Sequence, residues 1–438
     1  MSDSYSPYAP PEKAFLVAVN IQGSRPLLTM EDSLKELALL AQTAGMEVIG
    51  QATQNLHRID SATVIGSGKI EEIKASVELA EAQVVIFDDE LSPRHQRELE
   101  KHFGETIKVI DRSTLILDIF AQHAQTREGA LQVELAQYEY RLPRLTRQWT
   151  HLARQAGGST RGGVSGVGLR GPGETQLEVD RREISRIIAR LKKDLEHVRQ
   201  HRSRHRMQRT RAGVPVIALV GYTNAGKSTL LKALTDADVY IADQLFATLD
   251  PTTRRVLLPS NRQVLFTDTV GFIQKLPTTL IAAFRATLEE IAEADLLIHV
   301  VDVSHPNVLQ HIESVEDTLA EIDVPSIPRI LVWNKIDRWT GKDLPHLSDE
   351  ATYAAQIPVS AKTKTGIDGL FDAVEKTLTE ALSRTRLLIP YDQGQLLSLL
   401  YESANIEMRE NSRDGVLVTV QLPETLLERF KSYQVTGS

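Results

Sequence analysis

GYTNAGKS, Gly221–Ser228, lies between the apolar run VIALV and the helix-forming run STLLKALTD. It fits the pattern G-x-x-x-x-G-K-[ST] in the strand-then-helix setting that pattern requires. Glycines in such a loop let backbone N–H groups turn toward phosphate oxygens, and the helix N-terminus adds partial positive charge. Gly221, Tyr222, Thr223, Asn224, Ala225, Gly226, Lys227 and Ser228 are therefore the expected cradle of a nucleotide. Lys227 is expected at the β- and γ-phosphates, and the Ser228 hydroxyl on Mg²⁺. The competing reading is a glycine turn that binds nothing; the flanking strand and helix argue against it.

Working outward, the apolar runs PVIALV, QVLFTD, DLLIHVVD, RILVWN and QIPVS alternate with helical segments over residues 214–384. That alternation predicts an α/β domain with a doubly wound, mostly parallel sheet. DTVG (Asp268, Thr269, Val270, Gly271) closes the second run and reads as a second phosphate-side motif. NKID (Asn334, Lys335, Ile336, Asp337) closes the fourth. A carboxylate there accepts two hydrogen bonds from the N1–H and 2-amino group of guanine. Adenine offers neither donor, and a site built on such bonds rejects an analogue lacking them by roughly 10⁴–10⁵. GTP is thus expected over ATP. Asn334 is expected to contact the base and tie the motif to the phosphate loop, and Lys335 to lie over the ring. SAK (Ser360, Ala361, Lys362) follows the fifth run, with the Ala361 N–H placed to meet the guanine carbonyl. A switch threonine for Mg²⁺ must come from ADQLFATLDPTTRR. Thr248, Thr252 and Thr253 all qualify by spacing, although the last two read better as turn residues.

Composition bounds the rest. The chain of 438 residues carries 50 Lys+Arg against 58 Asp+Glu and no cysteine. Disulfides and thiolate metal sites are excluded, and a cytoplasmic protein is expected. MSDSYSPYAPP lacks the basic start and apolar core of a secretory signal. LLIHVV is too short to span a bilayer, so no transmembrane segment is expected, and peripheral membrane association is left open. Residues 1–13 read as a disordered N-terminus. Residues 14–113 read as a small α/β domain, with strands at FLVAVNI, MEVIGQATQ, AQVVIFDDE and TIKVID and helices at SLKELALLAQT and SPRHQRELEKHF. Residues 114–211 read as a helical hairpin. One long helix is expected over Leu115–Tyr140, ending near Pro143, and another from Glu174 to Arg209. Between them lies a tip in which eight of the seventeen residues Gly157–Gly173 are glycine. Residues 386–438 read as a small α+β module with a turn at Asp414-Gly415, the strand VLVTVQL and a helix from Pro423. Nothing calls for an obligate oligomer, so a monomer is expected.

Several stretches outside the nucleotide motifs resemble the HflX family of ribosome-binding, translation-factor-related GTPases: VIGSGKIEEI (Val64–Ile73), DDELSPRHQRELE (Asp88–Glu100), LILDIFAQHAQTREGALQVELAQYEYRLPRL (Leu115–Leu145), RGPGETQLEVDRR (Arg170–Arg182) and LFATLDPTTRR (Leu245–Arg255). The resemblance covers about residues 15–385. It implies a family-specific N-terminal domain, a helical linker, a GTPase domain and binding to the large ribosomal subunit. It also favours Thr248 as the switch threonine, within Phe246, Ala247, Thr248, Leu249 and Asp250. The glycine tip, STRGGVSGVG, is longer than a compact version of the family carries.

Signalling GTPases follow the DxxG glycine with a glutamine that orients the attacking water. Here the residue is Phe272, so hydrolysis must draw on other groups, and Asn224, Lys227, Thr248 and Gly271 are the catalytic candidates. Asn224 has two readings: it holds a K⁺ ion against the phosphates, or it caps the loop. Ordering of the switch by the ribosome is a third source of acceleration, and a slow intrinsic rate is expected. Arg181–Arg211 holds 12 Lys+Arg, three histidines and three acidic residues, about +9 in an otherwise acidic chain. With the glycine tip, this arm suits phosphate-backbone contact with rRNA, with no DNA specificity evident; a solvated linker helix is the alternative. GSGK, Gly66–Lys69, could form a second anion nest, although an ordinary tight turn explains it as well. The leading function is a GTPase of the large ribosomal subunit in splitting, rescue or assembly. The rivals are an Era- or Obg-like assembly or RNA-modification GTPase, and a nucleotide switch for protein partners.

Overall fold

The computed structural model describes residues 11–23, 26–145, 172–211, 214–235, 245–246, 251–277, 291–322, 324, 327–347, 352–380, 382–403, 405–423 and 427–435. They fall into two compact units. One draws on Met1–Glu196, Asp243–Leu249 and Gln274–Phe284, the other on His197–Ala242, Asp250–Ile273 and Arg285–Ser438.

In the first unit, strands β1 (Lys13–Ile21), β2 (Glu47–Leu56), β3 (Val84–Phe87) and β4 (Lys108–Asp111) form a parallel sheet in the order β2-β1-β3-β4. Lys13, assigned from sequence to the disordered start, already stands in β1. Helices α1 (Met30–Thr43), α2 (Ser67–Leu79) and α3 (Pro93–Phe103) link the strands. Thr29 and Ser92 cap α1 and α3, each accepting the N–H three residues on, which satisfies a donor the helix itself cannot. Phe15, Val17, Ile70, Ile73, Val85, Phe87, Leu99 and Phe103 make up much of one buried cluster on this sheet. The GSGK turn is an ordinary helix start. Gly66 caps α2 without a side-chain bond, and Lys69 is paired with Glu72 at 2.6 Å.

The single long helix expected over Leu115–Tyr140 is two helices, α4 (Arg112–His123) and α5 (Arg127–Leu145). Ala124 leaves the helix in an extended conformation. Thr126 then restarts it, its hydroxyl and carbonyl accepting from Gly129 N and Ala130 N. Pro143 does not end α5 but lies inside it. The second long helix, α6 (Pro172–Arg211), packs its Leu191 and Leu195 on Leu135 of α5, with Lys192 paired to Glu139 at 2.8 Å. The glycine tip up to Gly171 lies outside the described residues.

In the second unit, β5 (Val216–Val220), β6 (Thr252–Leu257), β7 (Gln263–Asp268), β8 (Leu296–Asp302), β9 (Arg329–Asn334) and β10 (Ala355–Pro358) form a sheet ordered β10-β9-β8-β5-β7-β6. Every pairing is parallel except the antiparallel edge pair β6–β7. Helices α7 (Lys227–Thr235), α8 (Val308–Glu321) and α9 (Ile367–Glu380) pack on it; Leu230, Leu231, Leu370 and Val374 join Ile217, Leu219, Ile298 and Val332 in one core. This is the doubly wound α/β sheet that the alternation of runs implies. Thr252 and Thr253 are strand residues of β6 rather than turn residues, opposite Asp268 and Thr267.

A second, antiparallel sheet ordered β11-β13-β12 is built from β11 (Leu382–Ile389), β12 (Asn405–Asn411) and β13 (Val416–Pro423), with helix α10 (Gly394–Ser403) supplying the buried Leu400. Asp414-Gly415 is the turn between β12 and β13. A Cβ at Gly415 would stand 2.2 Å from Ile389 O, so glycine is required there. The helix expected from Pro423 is instead a 3₁₀ helix over Glu428–Tyr433. Its period of three suits Leu427 and Phe430, and Phe430 is wholly buried.

Candidate functional site

The strand ends of the second unit bring the sequence motifs together. Gly221 follows β5 at φ +151°, and a Cβ there would stand 2.2 Å from Val300 O. Gly226 has φ +96°, and a Cβ would stand 2.3 Å from Asn334 Nδ2. Asn224, between them, is left-handed at φ 58°, a region asparagine tolerates. The loop thus turns its backbone inward ahead of α7, which begins at Lys227.

Lys227 is buried and donates from Nζ to Gly221 O and Tyr222 O, both at 3.0 Å. Burial pulls its ammonium down from 10.5 to about 8, with attraction to Asp268 acting the other way. Ser228 Oγ donates to Asp268 Oδ2 at 2.6 Å, so a hydroxyl and a carboxylate converge beside the phosphate loop. Both are hard oxygen donors of the kind Mg²⁺ takes. Among the described residues no group of three or more His, Cys, Asp or Glu side chains could hold a metal.

DTVG follows β7 into the same place. Thr269 Oγ1 donates to Leu219 O at 2.6 Å and anchors the segment to β5. Gly271 lies so close to the loop that a Cβ would meet Thr223 Cγ2 at 2.9 Å, Thr223 Cα at 3.0 Å and Lys227 Nζ at 3.1 Å. Phe272 is buried and bridged to the loop: its N–H donates to Gly221 O at 3.1 Å, and Thr223 N–H donates to Phe272 O at 2.7 Å. No polar atom of the Phe272 ring is available for a water.

The base-side motifs are tied together by Asn334, which is 1 % exposed. Its Nδ2 donates to Ala225 O at 2.8 Å, and its Oδ1 accepts Ala361 N–H at 3.0 Å. The tie to the phosphate loop is as the sequence suggests. The Ala361 N–H, however, already serves Asn334, so guanine would have to share it. Lys335, left-handed at φ 64°, donates to Asn224 O at 2.8 Å and pairs with Asp302 at 2.7 Å. Burial works to raise the Asp302 pKa, but hydrogen bonds from Lys335 and Ser304 outweigh it and hold the carboxyl below its ordinary range. Ser360 Oγ donates to Asp337 Oδ1 at 2.6 Å and fixes the rotation of an otherwise exposed carboxylate. Ile336 is half-buried and Lys362 exposed.

Other expected site residues stand elsewhere. Phe246 is buried at φ 57° with its ring edge-on to Phe120, 4.5 Å between centroids, both in the first unit. Ala247, Thr248, Leu249 and Asp250 lie outside the described residues. Asn224 is exposed, and its carbonyl accepts from Lys335. Sequence reading missed Asp302, whose signal is its place at the end of β8 beside β9. It also missed the stacking of Tyr222 on His311, 3.9 Å apart at 3°.

A doubly wound sheet, a phosphate loop at the end of β5, DxxG after β7 and a guanine-type NKxD after β9 define a P-loop GTPase. Family models match along the chain: GTP-binding GTPase N-terminal at residues 31–121, GTP-binding GTPase Middle Region at 123–209, 50S ribosome-binding GTPase at 216–335 and HflX C-terminal domain at 347–430. A GTPase HflX of Caldanaerobacter subterraneus is 44 % identical over 97 % of this chain and 94 % of its own, and one of Escherichia coli is 45 % identical over 90 % of each. The chain belongs to the GTPase HflX family: it binds GTP and hydrolyses it to GDP and phosphate. A solved GTP-binding protein of Sulfolobus solfataricus, in complex with GDP, is similar at 24 % identity and a TM-score of 0.43, over 84 % of this chain and 99 % of that one.

Proposed function

We propose that the protein is a GTPase of the large ribosomal subunit whose affinity for that particle is set by the nucleotide it holds. The observation that carries this reading is the match of residues 216–335 to the 50S ribosome-binding GTPase model. The basic stretch Arg181–Arg211 supports it, since arginine along a helix gives sequence-tolerant, salt-sensitive contact with phosphates. Splitting, rescue and assembly are the roles such binding would serve.

In this reading Lys227 and the loop N–H groups grip the β- and γ-phosphates, and Gly271 meets the terminal one. Asp337 selects guanine, while Asn334 and Lys335 hold it against the loop. Ser228 and Thr248 hold Mg²⁺, which neutralises charge on the phosphate oxygens. Asn224, exposed in the phosphate loop, is the group assigned to K⁺. Asp268 steadies Ser228 from behind. No described helix is long and apolar enough to cross a membrane.

Sedimentation of the protein with purified large and small ribosomal subunits tests the proposal. Co-sedimentation with the large subunit is expected with a non-hydrolysable GTP analogue, weaker binding with GDP, and steep loss as salt is raised. Equal binding to both subunits, or binding indifferent to nucleotide, would sink it.

A further inference from the structure

Strands β8 and β9 run parallel with Asp302 opposite Asn334, so the Asp302 carboxylate stands beside the start of NKID. Val303 N–H donates to Asn334 O at 3.1 Å and keeps that register past the strand end. The two carboxylate oxygens have separate partners. Oδ1 accepts the Ser304 N–H at 3.0 Å and the Ser304 hydroxyl at 2.6 Å, which sets the rotation of the group. Oδ2 accepts from Lys335 Nζ at 2.7 Å. The same ammonium donates to Asn224 O of the phosphate loop at 2.8 Å. Lys335 is thereby held at its far end by two different segments. At its near end it has a left-handed backbone, φ 64°, which a non-glycine residue keeps only where its surroundings over-determine it. Only 19 % of the Lys335 side chain and 16 % of that of Asp302 are exposed, so solvent and salt screen the pair weakly. Lysine has among the largest rotamer freedoms to lose on ordering. With the ammonium pinned, its stem is ordered before any base arrives, and a site ordered in advance binds more tightly.

We propose that Asp302 is a positioning residue for the purine: it pins the Lys335 ammonium so that the methylene stem of the lysine straps the face of the base, and it thereby sets how long GDP stays bound. Asp302 touches no nucleotide itself. A methylene stem carries no hydrogen-bonding group, so the strap is blind to the edge of the base. Asp302 therefore governs residence, while the choice of guanine falls to Asp337. The proposal rests on the base lying against Lys335, as in the reading of the site set out above.

The test is stopped-flow release of ribose-labelled fluorescent GDP and inosine diphosphate from the full chain. Inosine lacks the 2-amino group of guanine and keeps the ring faces. Asp302→Asn keeps the shape and an acceptor for Ser304. It is expected to release both nucleotides faster by one common factor of about 5- to 30-fold, or ~1–2 kcal/mol at 1.4 kcal/mol per tenfold. Asp302→Ser, which cannot reach the lysine but leaves a short polar group beside Ser304, is made alongside and held to the same expectation. In a Lys335→Met background Asp302→Asn is expected to change release by less than about twofold, since the partner through which it acts is gone. Ser304→Ala, which leaves the carboxylate its lysine, is expected within about twofold of wild type. The proposal is overturned if both Asp302 variants release GDP like wild type, or if they speed the two nucleotides by unequal factors. It is overturned as well if the effect persists undiminished without Lys335, or if Ser304→Ala matches it, since Asp302 would then support the end of β8 rather than the lysine. Failure of the underlying site reading looks different: the unaltered protein would then bind adenosine nucleotides as tightly as guanosine ones, and the proposal would fall with it.

Discussion

Burial holds Lys227 at a pKa of about 8 in the protein alone, against 10.5 for a solvated lysine. The phosphates of GDP carry negative charge to its ammonium and oppose the effect of burial, so binding should return the pKa to 10.5 or above. At about pH 8.5 a group of pKa 8 holds roughly a quarter of a proton and one of pKa 10.5 nearly a whole one. GDP binding should then take up ~0.7 proton, falling to ~0.1 at about pH 7. The assay is calorimetric titration with GDP in buffers of different ionisation enthalpy, where the dependence of the observed heat on buffer counts protons. Stopping at about pH 8.5 keeps below the main titration of guanine's own imino group.

The same depressed pKa fixes the sign of the stability change with pH. Between about pH 8 and 10.5 the unfolded chain holds the Lys227 proton and the folded protein does not, so unfolding free energy rises with pH across that window. Below it, keeping the charge buried costs roughly 3 kcal/mol, from the gap between 10.5 and about 8. Lys227→Met should remove the rise in thermal stability over that window. Proton uptake equal at both pH values, or a Lys227→Met protein whose melting follows pH like wild type, would refute the reasoning.

Asp337→Asn should cut the preference for guanosine over adenosine diphosphate by roughly 100-fold or more in competition binding, because the carboxylate's paired acceptors are lost. Gly226→Ala places a Cβ 2.3 Å from Asn334 Nδ2 at a φ of +96°. It should weaken fluorescent-GDP binding by about tenfold or more and destabilise the second unit by roughly 1–3 kcal/mol. Arg112→Ala removes the guanidinium that pairs with buried Asp88 at 2.9 Å and with Glu36. Urea unfolding should show a loss of about 3 kcal/mol, the low end for a broken buried pair, since Asp88 keeps Ser33 and Lys275.

How much of this was legible from sequence follows from what each position asks of its residue. Gly221 and Gly226 stand where any Cβ would strike another strand end, so the phosphate loop has little freedom to be written otherwise. The strands β5, β8 and β9 are interior and buried on both faces, which makes them continuous apolar runs. β6 is an edge strand bonded only to β7, with one buried residue in six; TTRRVL therefore shows no such run and reads as a turn. The break between α4 and α5 falls in the polar run Gln125–Gly129, which a long exposed helix face also shows, and its capping signal was Thr126, three before Gly129. Phe246 sits in a nucleotide motif by position, yet its ring is committed to Phe120, a long-range contact no local pattern encodes.

Among the described residues, the NKID segment is joined to the phosphate loop through Asn334 and Lys335. Asn334 uses both ends of its amide, donating to Ala225 O of the loop and accepting from Ala361 N of the SAK segment, and Lys335 reaches Asn224 O from the next position. Each such bond is worth about 1 kcal/mol while made, and 1–3 kcal/mol is lost where a buried partner is orphaned. The two that reach the loop, at Ala225 O and Asn224 O, therefore resist displacement of NKID relative to it by about three times thermal energy, and the third ties NKID to the SAK segment. Asp337 lies one short turn along from Lys335 and is held in rotation by Ser360, which belongs to the SAK segment that Asn334 also grips. A purine that cannot satisfy Asp337 would thus have to be accommodated without moving the motif, because moving it would break the loop contacts as well. Under the proposed reading of Asp337, selectivity for guanine then comes from the rigidity of the join as much as from the donors of the base.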